Sequence, residues 1–170
     1  YMFLDGRGKP RKFFDAAVGG LSVGVPGVLR MLELAHKKHG RLPWARLFEP
    51  AIALAEKGFP VSGRLKALIT RDSHLKTFAT TAAYFYDADG KPPLVGTPLI
   101  NKPFAETLRA IAKGGADAFY QGPIARDIVD AVNNATRNPA KMTLADLTAY
   151  RAKKRDPVCL PYRQWLVCGM

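Results

Sequence analysis

Glycine and proline punctuate this chain so often, 15 and 13 times in 170 residues, that a regular element seldom runs far before one of them stops it. No apolar run approaches the roughly 20 residues a membrane helix needs, because Lys, Arg, Pro or Gly interrupts each one. Pro92, Pro93, Pro98 and Pro103 crowd around Leu94-Val95, so residues 87 to 103 read as exposed loop and admit no long strand. Short capped helices remain the natural solution, and the apolar spacing supports them. The chain reads as mostly α with a few β-strands, in one segment from 1 to 170, with no internal repeat and no low-complexity region.

Val28, Leu29, Leu32 and Ala35 recur at helical spacing, with Pro26 placed as an N1 proline and Gly40 as the stop. Leu47, Ala51, Leu54 and Ala55 repeat the pattern from about Pro43 to Lys57, where Pro50 sets a helix start or a kink and Gly58 closes the run. Ser62 is placed to cap a short helix through Leu65, Leu68 and Ile69, and Ser73 to cap a weak turn after it. Phe104 to Gly114 and Gly122 to about Ala135 restore the helical period, each with one face to bury. Thr143, with Asp146 three residues on, opens a last helix whose inner side is expected to carry Leu144, Leu147 and Tyr150.

From about 156 to 170 the character changes. Val158, Leu160, Trp165 and Val167 flank a Pro161-Tyr162-Arg163-Gln164 turn, which predicts a hairpin. A lone hairpin is marginal in water, and Met2-Phe3-Leu4 and Val18 to Val23 supply only fragments of other strands, so its partner strands are expected outside this sequence. The hairpin sets Cys159 opposite Cys168, which leaves a disulfide and a pair of buried thiols both open. Neither cysteine has a base beside it in the sequence, so neither reads as a nucleophile. The opening residues carry no basic leader and no initiator Met, and both ends read as cut from something longer.

Twenty-six Lys and Arg against fourteen Asp and Glu leave a formal charge of +12, which favours anionic partners. The basic residues are dispersed, and no Arg- and aromatic-rich motif accompanies them, so specific nucleic-acid recognition is not expected. Gly20-Leu21-Ser22-Val23-Gly24 matches the G-x-S-x-G elbow, but the helical sequence after it lacks the alternating strands of that fold. The glycines are better read as allowing a tight approach into the next helix. His36 and His39 stand three apart without the Cys or carboxylates that would complete a metal site. Asp87-Ala88-Asp89-Gly90 opens like a calcium loop and then fails at Lys91 and Pro98, so it reads as a turn. The glycines never form a phosphate-binding pattern.

Several ordered blocks carry a family resemblance. Ser22-Val23-Gly24-Val25-Pro26-Gly27-Val28, Lys38-His39-Gly40-Arg41-Leu42-Pro43-Trp44 and Leu47 through Val61 follow one another in register. Ala116-Asp117-Ala118-Phe119-Tyr120-Gln121-Gly122, Met142 through Leu147 with Ala149-Tyr150, and Pro161-Tyr162-Arg163 come later, and Met2-Phe3-Leu4-Asp5 also fits. Together they resemble the central part of the large subunit of gamma-glutamyltransferases, or glutathione hydrolases. Asn133 to Lys141 departs from the pattern, since the family's connection there is usually shorter.

The resemblance implies an N-terminal-nucleophile hydrolase of αββα architecture, made as a zymogen that cuts itself into large and small subunits. It implies an N-terminal Thr, beyond Met170, that takes the gamma-glutamyl group of glutathione and passes it to water, an amino acid or a peptide. The arginine that grips the substrate carboxylate is implied upstream of Tyr1. No catalytic, cofactor-binding or metal residue therefore transfers to this sequence, and Thr80, Thr81 and Thr143 are not promoted to the role. No cofactor is implied. The implied partners are the small subunit and the rest of the large one, and the implied location is periplasmic or secreted. Related acylases act on cephalosporin side chains or polyglutamate, so the substrate is inherited from kinship. The chain alone is expected to be inactive and to self-associate; the alternative is a free-standing basic helical module for an anionic partner.

Overall fold

The computed structural model describes residues 3–169. Its helices are α1 (Phe13–Ala17), α2 (Val28–His39), α3 (Glu49–Lys57), α4 (Gly63–Arg71), α5 (Ala79–Phe85), α6 (Lys102–Gly114), α7 (Asp117–Tyr120), α8 (Gly122–Asn133) and α9 (Leu144–Ala149). The strands are β1 (Phe59–Pro60), β2 (Pro98–Leu99), β3 (Val158–Tyr162) and β4 (Trp165–Gly169), and they form two separate antiparallel pairs, β1 with β2 and β3 with β4.

Most helix ends fall where the punctuation puts them. Gly40 and Gly58 follow the last turns of α2 and α3, and Pro50 lies in the first turn of α3. The Ser62 hydroxyl accepts the Leu65 N–H at 3.1 Å, and Thr143 with Asp146 forms a complete capping box on α9.

Several expectations are corrected. Pro26 is not the first residue of α2: Gly27 is its N-cap, and the Pro26 carbonyl is used elsewhere, as an acceptor for a tyrosine. The run from Trp44 to Phe48 is a 3₁₀ turn ahead of α3 rather than its first turn. Asp72, not Ser73, caps the turn at Leu75–Thr77, its Oδ1 accepting the N–H groups of His74 and Leu75 at 2.7 and 3.1 Å, because a carboxylate one residue earlier reaches both donors. Leu144 faces solvent, since only Leu147 of that short helix points into the core. Residues 18 to 23 are not strand: Gly20–Ser22 forms a 3₁₀ turn held by the 137–138 backbone. At the N-terminus Leu4 bridges Pro10, while Met2 lies outside the described residues.

The core gathers α7, α8 and α9: Ala116, Tyr120, Ala125, Val132, Met142 and Leu147, with Val25, Leu29 and Tyr150 packed against it. The segment from Asn133 to Lys141 closes this unit. The Asn133 side chain accepts the Met142 N–H and donates to its carbonyl, at 2.8 and 2.7 Å. Asn138, at φ 46°, donates to the carbonyls of Asp15 and Val18 and accepts from Arg11. Backbone bonds from Gly20 to Arg137 and from Leu21 to Asn138 complete the clasp, at 3.2 and 2.7 Å. The glycines at 19 and 20 serve this approach rather than entry into α2.

The hairpin forms as expected, with Cys159 paired to Cys168 and Tyr162 to Trp165, and a two-residue turn at Arg163-Gln164. Of the two readings left open for the cysteines, the disulfide is the one that stands, across a Cα–Cα distance of 4.1 Å. Among the described residues the hairpin pairs with no other strand. Its apolar side chains lie open, Val158, Leu160, Trp165 and Leu166 among them.

The surface is large for the mass. It measures 12690 Å², whereas a free-standing globule of 18.6 kDa has about 8,200 Å².

Candidate functional site

The most developed polar constellation lies where α2 meets α7. Arg30, Glu33 and Lys37 occupy one face of α2 at the i, i+3 and i+4 spacings that let side chains meet. The Arg30 guanidinium binds Asp117 at 2.8 Å and Glu33 at 3.3 Å, and lies 4.5 Å from the centre of the Tyr120 ring. Its Nε is buried without a hydrogen-bond partner. Glu33 also takes Lys37 at 3.2 Å and the Ala116 N–H at 3.0 Å.

Tyr120, fully buried, stands at the centre. Its hydroxyl donates to the Pro26 carbonyl at 2.5 Å and accepts the Arg30 N–H at 3.3 Å. The Arg30 N–H belongs to the first turn of α2, where helix donors have no internal partner, and Gly27 offers no side chain to cap it. A phenol ninety residues away in sequence therefore does the capping. Tyr150 stacks on Tyr120 at 6.0 Å between centroids, and a Cβ at Gly27 would run into the Tyr150 hydroxyl.

Burial would raise Glu33, but the Ala116 N–H, Lys37 and Arg30 outweigh it and hold the carboxyl below its ordinary value. Burial would likewise lower Arg30, yet Asp117 and Glu33 carry it upward, so both stay charged. Burial pushes the Tyr120 hydroxyl up, which keeps it protonated and donating. A carboxylate depressed in the folded state contributes stability above its unfolded pKa of about 4.3 and loses that contribution as pH falls through the folded value. Glu33→Gln is therefore expected to be less stable than the parent at pH 7, with the difference shrinking below about pH 4; urea melts at the two pH values check this, and a constant difference would exclude the charge as its origin.

Every charge in this cluster is answered by another, so the cluster clamps α2 to α7. The residues singled out from the sequence lie outside it. Ser22 Oγ donates to the Ala17 carbonyl at 2.6 Å and has no histidine partner. His36 binds the Leu42 carbonyl at 2.8 Å and packs on Trp44, so it is turned away from His39 chemistry. Asp87 accepts the N–H groups of Asp89 and Lys91 at 3.0 and 2.8 Å, as a turn does. Thr80 and Thr81 lie in α5, and Thr143 is spent on its cap. Among the described residues no group of three or more His, Cys, Asp and Glu is placed to hold a metal.

The model of the family described as gamma-glutamyltranspeptidase matches residues 1–170. The chain belongs to the gamma-glutamyltranspeptidase family. It is 40% identical over 148 residues to a glutathione hydrolase proenzyme of Arthroderma benhamiae, covering 85% of this chain and 25% of that protein. With a glutathione hydrolase proenzyme of Bacillus subtilis it shares 36% identity over 166 residues, 98% of this chain and 28% of the other. The crystal structure of Helicobacter pylori gamma-glutamyltranspeptidase superposes with a TM-score of 0.91 at 30% identity, over 99% of this chain and 48% of that one. The chain thus spans about a quarter of the curated relatives it matches.

Several residues that carry the gamma-glutamyltranspeptidase resemblance prove to be joints of the scaffold. Trp44 donates its indole N–H to the Ile111 carbonyl of α6 at 3.1 Å while its ring meets His36 and Phe48, so it ties α2 to α6. The Arg30–Glu33–Lys37 spacing was visible in the sequence as a helix-face pattern; its partners on α7 were not, because nothing local links them.

Proposed function

We propose that this chain is a scaffold segment of the large subunit of a gamma-glutamyltransferase or glutathione hydrolase, and that the chemistry belongs to the parent molecule. The observation that carries this is the superposition of 99% of the chain on a gamma-glutamyltranspeptidase, beside a polar cluster at α2 and α7 whose groups are spent on one another. In the parent, an N-terminal Thr acts as nucleophile with its own amine as base, forming a gamma-glutamyl acyl-enzyme that water, an amino acid or a peptide resolves. The architecture of the whole is αββα, to which this stretch contributes outer helices and the β3–β4 hairpin. A precursor cut in two is supported by its relatives, which are proenzymes. It is also supported by the coverage, since the stretch fills 28% of one proenzyme and 48% of the solved chain.

Glutathione or a similar gamma-glutamyl amide is the substrate of this reading, and the small subunit and the remainder of the large one are its partners. The parent acts in the periplasm or outside the cell; the Cys159–Cys168 disulfide fits an oxidising compartment. No helix is long and apolar enough to cross a membrane among the described residues.

Incubated with gamma-glutamyl-p-nitroanilide, the isolated chain is expected to release no p-nitroaniline above buffer. The parent, read from the coding DNA on both sides, is expected to release it and to stop when its N-terminal Thr is changed to Ala. Release proportional to the concentration of the isolated chain would overturn the assignment of chemistry to the parent. The excess surface also predicts self-association: sedimentation of the isolated chain should show species heavier than 18.6 kDa, and a monodisperse monomer would contradict it.

A further inference from the structure

Two basic elements lie side by side with little acid between them. The C-terminal half of α2 carries Lys37, Lys38 and His39, and residues 151 to 155 read Arg-Ala-Lys-Lys-Arg. Between them runs a groove of about 500 Å³, floored by Met31, Leu34 and Ala152 and rimmed by Lys38, His39, Lys153 and Lys154. Among the described residues those three lysines enter no ion pair. Glu33, the nearest acid on α2, is already taken by Arg30, Lys37 and the Ala116 N–H.

Like charges set together around an apolar floor are unfavourable unless an anion answers them. The floor decides which anion. It is aliphatic, and the single ring among its lining residues, His39, stands at the end of α2, so successive bases would find no platform and a nucleic acid would leave the floor unused. A volume in the range of small-molecule sites suits one alkyl chain. Lysine ammonium groups are point charges that suit a carboxylate or sulfate head. Met31 and Leu34, at 49% and 48% exposure, are half covered already, as the wall of a groove is.

We infer that this groove binds a single-tailed anionic amphiphile, its alkyl chain along Met31 and Leu34 and its head among Lys38, Lys153 and Lys154. The inference does not rest on the proposed function, because it concerns direct binding to this chain and no turnover.

Titration calorimetry with decanoate below its micelle concentration tests it. One saturable site per chain is expected, with octanoate weaker by about fourfold for each methylene lost. Decyltrimethylammonium should not bind. The double variant Lys153→Glu with Lys154→Glu should lose at least tenfold in affinity, and Leu34→Ser several-fold; circular dichroism checks that both stay folded, and the Lys153→Gln with Lys154→Gln variant should fall between. Equal binding of decanol, affinity unchanged in the variants, or no saturation would overturn the inference. Adsorption to anionic vesicles without binding of monomeric decanoate would overturn it too, making the surface one for lipid.

Discussion

Tyr120→Ala should lose about 4 kcal/mol of stability, the middle of the range for removing a buried aromatic side chain. Three losses coincide there. The ring is fully buried and holds Tyr150 and Phe119 in place. The guanidinium of Arg30 loses the face it lies over, leaving its Nε with neither a bond nor a ring. The Pro26 carbonyl and the Arg30 N–H lose their partner, so α2 loses its cap. Against a total of roughly 5–15 kcal/mol for an ordinary domain, that is enough to unfold a sizeable fraction of molecules. Tyr120→Phe separates the parts: it keeps the ring and should cost only about 1–2 kcal/mol, the penalty of two groups left unpaired. Denaturant melts of the two variants measure the split, and equal losses would mean that the hydroxyl, not the packing, holds the joint.

Gly20→Val should cost about 3 kcal/mol or more, at the top of what overpacking does. Gly20 is buried, and a Cβ there would be driven into the backbone carbonyl of Val132, with the Ala140 nitrogen at 3.2 Å. Both obstacles are main chain, and the Ala140 N–H is itself bonded to the Val132 carbonyl at 3.2 Å, so neither can swing aside as a side chain would. The neighbouring bonds from Gly20 to Arg137 and from Leu21 to Asn138 would break with the displacement, releasing the N-terminal segment from the 133–141 loop. Gly24→Val, where a Cβ meets nothing within 4 Å, is the control and should be nearly neutral. Limited proteolysis near residues 12 to 22, alongside a thermal melt, reads both effects.

What could be read from the sequence was local. Helix stops at Gly40 and Gly58, the cap at Ser62 and the capping box at Thr143 depend on residues within one turn of each other, and each appeared where its chemistry put it. The hairpin was legible for the same reason, through alternation and a short turn. Pro26 misled because its ring suits the first turn of a helix equally well one residue outside it, and what fixed the start of α2 was a phenol from α7. Residues 18 to 23 misled because β-branched residues flank glycines whose role is set by a loop more than a hundred residues away. Family membership was legible through ordered blocks, and those blocks proved to hold joints such as Trp44 and Tyr120.

The disulfide across β3 and β4 has a consequence for how the hairpin can err. Side chains alternate between the two faces of a strand, so sliding one strand past the other by a single residue would send the two sulfurs to opposite sides. The bond can close only in the pairing seen here, Cys159 on Cys168, with Val158, Leu160, Tyr162, Trp165 and Val167 sharing one face. Once oxidised, the alignment is no longer an equilibrium that each molecule samples but a covalent record of the alignment it had when the bond formed. Any strand that later lies alongside meets a template already proofread.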